Sequence, residues 1–268
     1  MIRKTKTAKS RKRPLILVTN DDGITSPGIR ALIEAVNGFG ELLIVAPDSP
    51  QSGMGHAITI SKPLRLDKVE LYPGHQTYQC SGTPVDCVKL AVDKILLRKR
   101  KPDLLVSGIN HGSNSSINVL YSGTMSAAVE GAIEGIPSAG FSLCDYRFNA
   151  DFTASQKVVK VIAANLLKYG MPKHTLLNVN IPKVSPQELQ GLKVCRQAMA
   201  KWEEDFNERV DPNGRRYFWL TGKFINNDKG KDTDEWALAN NFASVVPVEY
   251  DLTAHEAIAD INNWDLDV

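Results

Sequence analysis

The sequence predicts an α/β fold, a doubly wound and mostly parallel sheet followed by a C-terminal extension of strands and a helix. Short, continuous apolar runs recur along the first two thirds of the chain, as in strands buried on both faces of a parallel sheet. Segments with helical spacing and clear start and stop residues alternate with these runs. After about Cys195 this alternation ends, and large aromatic residues become frequent among charged and turn residues.

The first elements predict a β-α-β unit. Residues 14–20 contain a continuous apolar run and predict the first strand. A helix follows, with Ser26 as its N-cap, Pro27 at its first position and Gly38 as its terminator. Residues 42–46 predict the next strand, and the crossover between the two strands should be right-handed.

Later segments continue this pattern. Thr83, Pro84 and Asp86 form a predicted helix start, with a cap, a proline at the first position and an acid in the first turn. The remaining predicted elements are an extended segment with turns at 58–79, strands at 104–107, 139–143 and 176–181, helices from Ser122 and over 153–169, a flexible loop at 113–121, projecting strands and loops at 196–250, and a terminal helix at 253–264.

Charge is unevenly distributed along the chain. The first thirteen residues hold seven basic side chains and no acid, and the rest holds 25 basic and 30 acidic side chains. We expect residues 1–13 to be a disordered, solvated tail; a nucleic-acid or membrane-surface arm is the alternative. No apolar run approaches the roughly 20 residues that span a bilayer, and no secretory pattern follows the basic start, so a cytoplasmic protein is expected. The four cysteines lack zinc-site spacing and are expected to be reduced.

Three polar, glycine-containing loops follow predicted strands, at residues 20–23, 47–56 and 107–114. The carboxyl ends of parallel strands meet at one edge of the sheet, where ligands bind in such folds. Asp21 and Asp22 directly follow a buried strand and would repel each other strongly without a cation. Oxygen ligands favour a hard cation such as Mg²⁺ or Mn²⁺. The alternative for this pair is a solvated turn.

Further candidate residues lie in the other loops and at a helix start. Ser52 and Asn110 could complete the coordination with neutral oxygens, or could make ordinary loop hydrogen bonds. The helix start Ser122-Gly123-Thr124 offers free backbone N–H groups to a phosphate, and Ser122 could equally cap the helix. Asn114 and His111 lie close enough in the chain to reach a phosphate, and His111 is an option for proton donor. His56 is better explained as a packed or solvated histidine.

At these loops the sequence resembles the SurE family, stationary-phase survival proteins that act as metal-dependent 5′-nucleotidases. The most specific matching stretches are ILVTNDDGITSPGI at 16–29, APDSPQSGMGHAIT at 46–59, SGTPVDCVKLA at 81–91 and PDLLVSGINHGSNSSINVLYSGTMSAAVEGA at 102–132. Similarity covers nearly all of residues 15–253. Three stretches depart from the family pattern. The basic extension before Pro14 is unusual, because the family typically starts almost at the first strand. Residues 114–117 replace a second glycine that commonly follows the asparagine, and residues 201–216, in the substrate-facing hairpin, match poorly.

The resemblance implies a Rossmann-like catalytic core at residues 14–195 and one divalent cation per subunit, Mg²⁺ or Mn²⁺. The implied metal ligands are Asp21, Asp22, Ser52 and Asn110, and the implied phosphate-binding residues are Asn20, Asn114, Ser122, Gly123 and Thr124. It also implies a homodimer or tetramer in which C-terminal segments exchange between subunits, and residues 196–268 would provide that projecting segment before the chain returns to the core.

The expected activity is hydrolysis of nucleoside 5′-monophosphates, with Asp21 and Asp22 as catalytic residues; 3′-monophosphates and short polyphosphate are further candidate substrates. A receiver-like signalling domain is disfavoured because its phospho-acceptor position would fall on Ser107-Gly108-Ile109-Asn110, which contains no acid. A dinucleotide-dependent enzyme is disfavoured because no G-x-G-x-x-G motif follows the first strand. A non-catalytic nucleotide-binding sensor remains open.

Overall fold

The computed structural model describes residues 13–266, and nearly all of the predicted basic tail, residues 1–12, lies outside that range. The strands are β1 Leu15–Thr19, β2 Glu41–Pro47, β3 Leu66–Lys68, β4 Gln76–Cys80, β5 Leu104–His111, β6 Ser138–Leu143, β7 Thr175–Ile181, β8 Gly191–Val194, β9 Ala200–Val210, β10 Arg216–Asn226 and β11 Phe242–Glu249. The helices are α1 Pro27–Val36, α2 Pro84–Leu90, α3 Gly123–Ile133, α4 Thr153–Tyr169, α5 Asp234–Ala239 and α6 Ala257–Ile261.

A nine-stranded sheet, in the order β3-β4-β2-β1-β5-β6-β7-β11-β8, forms the centre of the molecule. The pairs from β4 to β7 are all parallel. β3 is antiparallel to β4 at one edge, and β11 is antiparallel to β7 and parallel to β8 at the other. The predicted fold class is confirmed.

Helices cover both faces of this sheet, which explains the continuous apolar strands. In β1, Ile16 and Val18 join a core layer with residues of α1 and α4, whereas Leu15 and Leu17 join the opposite layer with residues of α2 and α3. All four side chains are buried. Each contributes about 1.5–3 kcal/mol by leaving water, so the strand that carries the acid pair at its end is firmly anchored.

The predicted helix starts are confirmed by their caps. Ser26 accepts a hydrogen bond from the Ile29 N–H, and Thr83 and Asp86 form a reciprocal capping box. α4 ends at Gly170, which has a positive φ of 69°. The second helix continues past Leu90 as a π-helical turn, Ala91–Ile95.

Three segments differ from the sequence-based expectation. β5 continues to His111, well beyond residue 107, with a register shift between Ser107 and Asn110. Residues 113–121, predicted as a flexible loop, contain the 3-10 helix Ser116–Tyr121, because a buried carboxylate from α5 binds its first N–H. The terminal helix is only α6, because residues 251–255 instead form a turn in which Asp251 accepts the Thr253 N–H.

The region after Cys195 projects and then returns, as predicted. β9 and β10 form a separate two-stranded antiparallel hairpin whose outer part is exposed on both faces. α5 and β11 follow it and rejoin the core beside β7. Within residues 13–266, none of the helices combines the length and apolar character needed to span a bilayer.

Candidate functional site

The three predicted loops meet around one cavity at the carboxyl ends of β1, β2 and β5. The cavity has a volume of about 220 Å³. Its wall includes five of the predicted residues: Asp21, Ser52, Asn110, Asn114 and Ser122. The other four, Asn20, Asp22, Gly123 and Thr124, are chain neighbours of these and lie beside them. The structure therefore brings together predicted residues that lie up to about 100 positions apart in the chain, and their roles stay predictions.

The acid pair combines one deeply buried and one partly exposed carboxyl group. Asp21 is only 4 % exposed, and one of its oxygens accepts a hydrogen bond from the Thr124 hydroxyl. Burial raises the pKa of Asp21 to about 6; the Thr124 hydrogen bond opposes this rise and the charge of Asp22 adds to it. Asp22 accepts the backbone N–H of His111 at 3.3 Å and faces the His111 ring Nδ1 at the same distance.

The donor atoms around the cavity fit a hard divalent cation. Within residues 13–266, no Lys, Arg or His side chain forms an ion pair with Asp21, so its buried carboxyl group has no positively charged partner there. Asn110 donates from Nδ2 to the Gly112 carbonyl at 2.9 Å, which leaves its Oδ1 available. In the same part of the chain no three His, Cys, Asp or Glu side chains form a metal-binding group, so a cation here would need the neutral oxygens of Ser52 and Asn110.

The start of α3 lies directly against Asp21 beside the cavity. Ser122 is the N-cap and accepts the Met125 N–H at 3.1 Å, so its capping role is confirmed. The Thr124 backbone also hydrogen-bonds Asp21, which acts to lower the pKa of that buried carboxyl group. Gly123 is needed for this approach, because a Cβ at that position would lie 2.8 Å from the Asp21 Cβ. The helix start and the acid pair are therefore in direct contact.

The loop that carries Ser52 is fixed at both ends. The Gln51 N–H donates to the Asp21 carbonyl at 2.8 Å, and the Gly55 N–H donates to the Tyr121 carbonyl at 3.3 Å. The ring of His56 lies 3.1 Å from Glu130, which is buried in the middle of α3. Lys89 binds the other oxygen of Glu130 at 2.6 Å. His56 is thus a partly exposed residue whose contact with Glu130 ties the Ser52 loop to α3.

Asn20 supports the acid-pair turn from behind. Its Nδ2 donates to the Gly23 carbonyl and to the Ser26 hydroxyl, both at 2.9 Å. Its Oδ1 is buried and has no hydrogen-bond partner within residues 13–266. Both amide hydrogens of Asn20 are therefore used inside the protein, which favours a bracing role over direct phosphate binding.

Sequence reasoning missed a group of buried amides that hold Asn114. The Asn114 N–H donates to Asn180 Oδ1, its side-chain Nδ2 donates to the Ser142 hydroxyl, and its carbonyl accepts from Asn178 Nδ2, each at 2.8 Å. Asn180 also donates to Asn178 at 2.9 Å. One signal was available: two asparagines at i and i+2 share one face of an apolar strand, so a buried polar partner had to exist.

A second missed group holds the residues after Asn114. Ser116 has a left-handed φ of 53° within the stretch that replaces the family's second glycine. Its N–H donates to the fully buried Asp234 at 2.7 Å, and its hydroxyl donates to the Ala198 carbonyl at 2.8 Å. The neighbouring Ser115 hydroxyl donates to Glu235. These bonds stabilise a conformation that usually favours glycine, so α5 supports the loop that follows Asn114.

Comparison with known proteins agrees with this geometry. The family model for survival protein SurE matches residues 16–204. A protein from Christiangramia forsetii named 5′-nucleotidase SurE is 62% identical over 259 residues, covering 96% of this chain and 99% of that protein. A protein of the same name from Bacteroides fragilis is 45% identical, covering 95% of this chain and 99% of its own length.

The solved structures give the same result. The crystal structure of SurE protein from Aquifex aeolicus is similar with a TM-score of 0.80 at 40% sequence identity, covering 93% of this chain and 98% of that chain. The similarity thus extends over the sheet, the site loops and the C-terminal extension together. This chain belongs to the SurE family.

Proposed function

We propose that this chain is a metal-dependent phosphomonoesterase that hydrolyses nucleoside 5′-monophosphates to nucleoside and phosphate. The observation that supports the proposal is the contact between the buried Asp21 and the start of α3 beside one small cavity, where a cation and a phosphate could bind next to each other. Relatives named 5′-nucleotidase SurE, up to 62% identical over nearly the whole chain, support the substrate class.

The donor set supports a metal-assisted reaction. A divalent cation, Mg²⁺ or Mn²⁺, held by Asp21, Asp22, Ser52 and Asn110 would polarise the phosphoryl group and lower the pKa of the attacking water. Two carboxylates and two neutral oxygens are the ligand types that such hard cations prefer.

The chain's own groups would bind and orient the phosphate. The start of α3, beside the cavity wall residue Ser122, would stabilise negative charge on the non-bridging oxygens, where the helix dipole also favours it. The Thr124 hydroxyl holds Asp21, and His111 holds Asp22, so both carboxylates keep a fixed direction. Either carboxylate could accept the proton of the attacking water.

Phosphate release from a panel of nucleoside monophosphates tests this proposal. We expect turnover with Mg²⁺ or Mn²⁺, its loss on adding EDTA, and its return when the metal is restored. Asp21→Asn should keep the fold and lower turnover by roughly 10²-fold or more, because it removes a charge needed at the reacting centre. Asp48→Asn is the matched control, since its carboxylate is exposed in a neighbouring loop and accepts only the Ser49 hydroxyl.

Full activity of Asp21→Asn, or activity that persists in EDTA, would reject the metal assignment. Tight nucleotide binding without any phosphate release, with each metal tried, would indicate a sensor rather than an enzyme.

We also propose that the chain forms a homo-oligomer through its projecting hairpin. The hairpin exposes seven large hydrophobic side chains, a concentration that isolated monomers rarely show: Trp202, Phe206, Val210, Tyr217, Phe218, Trp219 and Leu220. Light scattering during size-exclusion chromatography would detect a dimer or tetramer, whereas a monomer at micromolar concentration would contradict this proposal. A cytoplasmic location stays a prediction.

A further inference from the structure

The short arc that carries Ser52, residues 52–54, has little support of its own. All three residues are exposed, and within residues 13–266 no atom beyond the chain neighbours lies within 4 Å of a Cβ added at Gly53. Gly53 and Gly55 have a positive φ of 72° and 54°, and glycine loses more conformational freedom than any other residue when it is held in one conformation. The position of Ser52 therefore depends on how firmly the two ends of the arc are held.

Both ends of the arc are hydrogen-bonded to the walls of the site. On the upstream side, the Gln51 N–H donates to the Asp21 carbonyl at 2.8 Å. On the downstream side, the backbone bond from the Gly55 N–H to the Tyr121 carbonyl is longer, at 3.3 Å. The next residue, His56, adds a side-chain bond to this downstream end. The downstream end is therefore held by one long backbone bond and by His56.

The partner of His56 is a buried carboxylate in α3. The Nε2 atom of His56 lies 3.1 Å from Oε2 of Glu130, and Glu130 is only 1 % exposed. Lys89 of α2 binds the other carboxylate oxygen at 2.6 Å, so Glu130 is fixed between two helices. A carboxylate in such a buried position is costly unless it is paired, and hydrogen bonds to an ionised acceptor are stronger than those between neutral groups. Glu130 is therefore a firm anchor for the loop.

α3 connects this anchor to the acid pair. Thr124, in the first turn of the helix, contacts Asp21 through its hydroxyl. Glu130 lies about two turns further along, roughly 9 Å at a rise of 1.5 Å per residue. One rigid helix thus contacts Asp21 at its start and holds the Ser52 arc near its middle. The separation of these two candidate metal ligands therefore depends on the contact between His56 and Glu130.

We propose that His56 is a positioning residue for the metal site: its bond to Glu130 holds Ser52 within reach of the cation bound by the acid pair. This inference rests on the proposed metal-dependent function, and it adds a residue that contacts neither metal nor substrate but determines how tightly the metal binds. The competing explanation is that the contact stabilises only the fold. The chain beyond His56 has another anchor, since the Thr83 hydroxyl donates to the Ala57 carbonyl at 2.7 Å. That anchor belongs to the cap of α2 and lies further from Ser52 along the chain, so it constrains the arc less directly.

The test measures Mn²⁺ binding to the full-length protein without substrate, by the loss of the electron paramagnetic resonance signal of free Mn²⁺. We expect His56→Ala to raise the Kd for Mn²⁺ about tenfold, the lower end of the effect of residues that orient metal ligands. His56→Gln keeps a donor to Glu130 and should bind Mn²⁺ nearly as tightly as the wild-type protein. At saturating Mn²⁺ the kcat for a nucleoside monophosphate should change little in either variant, because the bound cation then holds Ser52 in place. The His56 side chain is 38 % exposed, so its truncation leaves no buried cavity and the variant should fold.

Lys89→Met is the matched control, because it removes the other partner of Glu130 and leaves the bond to the loop. It should lower the thermal midpoint, since a buried carboxylate loses a charged partner, and it should leave the Kd for Mn²⁺ unchanged. The pair of variants therefore distinguishes an effect on metal binding from an effect on stability alone.

The outcomes also separate the inference from the function on which it rests. An unchanged Kd for Mn²⁺ in His56→Ala, with wild-type turnover, would overturn the positioning role and leave the nucleotidase function standing. An equal rise of the Kd in Lys89→Met and His56→Ala would also overturn it, because the effect would then come from general loosening around Glu130. Absence of both Mn²⁺ binding and phosphate release in the wild-type protein would reject the metal-dependent function and the inference together.

Discussion

Replacing Gly123 with alanine would test whether the contact between the start of α3 and the acid pair matters for activity. A Cβ at this position would lie 2.8 Å from Asp21 Cβ and 2.9 Å from Asp21 Oδ2. Non-bonded carbon atoms settle at about 3.5–4.0 Å, so either Asp21 or the helix start must move by about 1 Å. If Asp21 has the proposed catalytic role, a displacement of this size should lower turnover by about 10²-fold.

The two effects of this substitution on stability oppose each other. Alanine is favoured over glycine in a helix by up to about 1 kcal/mol, whereas overpacking costs about 1–3 kcal/mol. We therefore expect a small decrease in the thermal midpoint together with a roughly 100-fold decrease in kcat/KM for a nucleoside monophosphate at saturating metal. Gly38→Ala is the control, because no atom lies within 4 Å of its added Cβ.

Unchanged turnover in Gly123→Ala, with an unchanged midpoint, would show that the helix start and Asp21 do not depend on this close contact. A large decrease in the thermal midpoint with normal activity per folded molecule would also contradict this prediction. It would mean that the added Cβ disturbs the packing elsewhere and leaves Asp21 in place.

Three further predictions concern buried polar groups. Thr124→Val keeps the side-chain shape but removes the hydroxyl donor to Asp21, so the free energy of unfolding should fall by about 1–3 kcal/mol in urea titrations, and Thr124→Ser should restore it. Burial opposes ionisation of Glu130, but hydrogen bonds from its histidine and lysine partners outweigh it and lower its pKa. The resulting stabilisation is present above about pH 4.3 and is lost as the pH falls through the lowered pKa. The difference in free energy of unfolding between the wild-type protein and Glu130→Gln should therefore shrink in acid. A difference that stays constant with pH would contradict this. Asn178→Asp replaces a donor to the Asn114 carbonyl by an acceptor, and KM for the nucleotide should rise about tenfold; an unchanged KM would mean that the loop is held by other contacts.

Local patterns in the sequence predicted most of the core fold. The apolar runs of β1 and β2 and the caps at Ser26 and Thr83 depend on neighbours within four residues, so their structure follows from their own sequence. The terminal helix was predicted too long because the turn at 251–255 depends on hydrogen bonds from Asp251, which helical periodicity does not reveal.

The sequence predicted which loops come together at the candidate site. It did not predict which distant residues hold those loops in place. Parallel strands bring their carboxyl ends to one edge, so the acid pair, Ser52 and Asn110 could be placed together from topology alone. The groups that hold Asn114 and Ser116 come from 64 and 118 residues further along the chain. One sequence does not show which distant strand or helix supplies such a partner, because that depends on how the whole sheet is assembled.

β11 pairs with β7 in the central sheet, whereas the hairpin of β9 and β10 does not. The two parts of the C-terminal region therefore differ in whether the protein can fold without them. Ending the chain near residue 195 would leave β7 with a bare edge and Ser116 without the carboxylate that binds its N–H. The hairpin is different: Ala200 and Asn226 already lie opposite each other, so a short turn could join them. A protein shortened in this way should keep its sheet and its site loops but lose the exposed hydrophobic surface through which it is proposed to assemble.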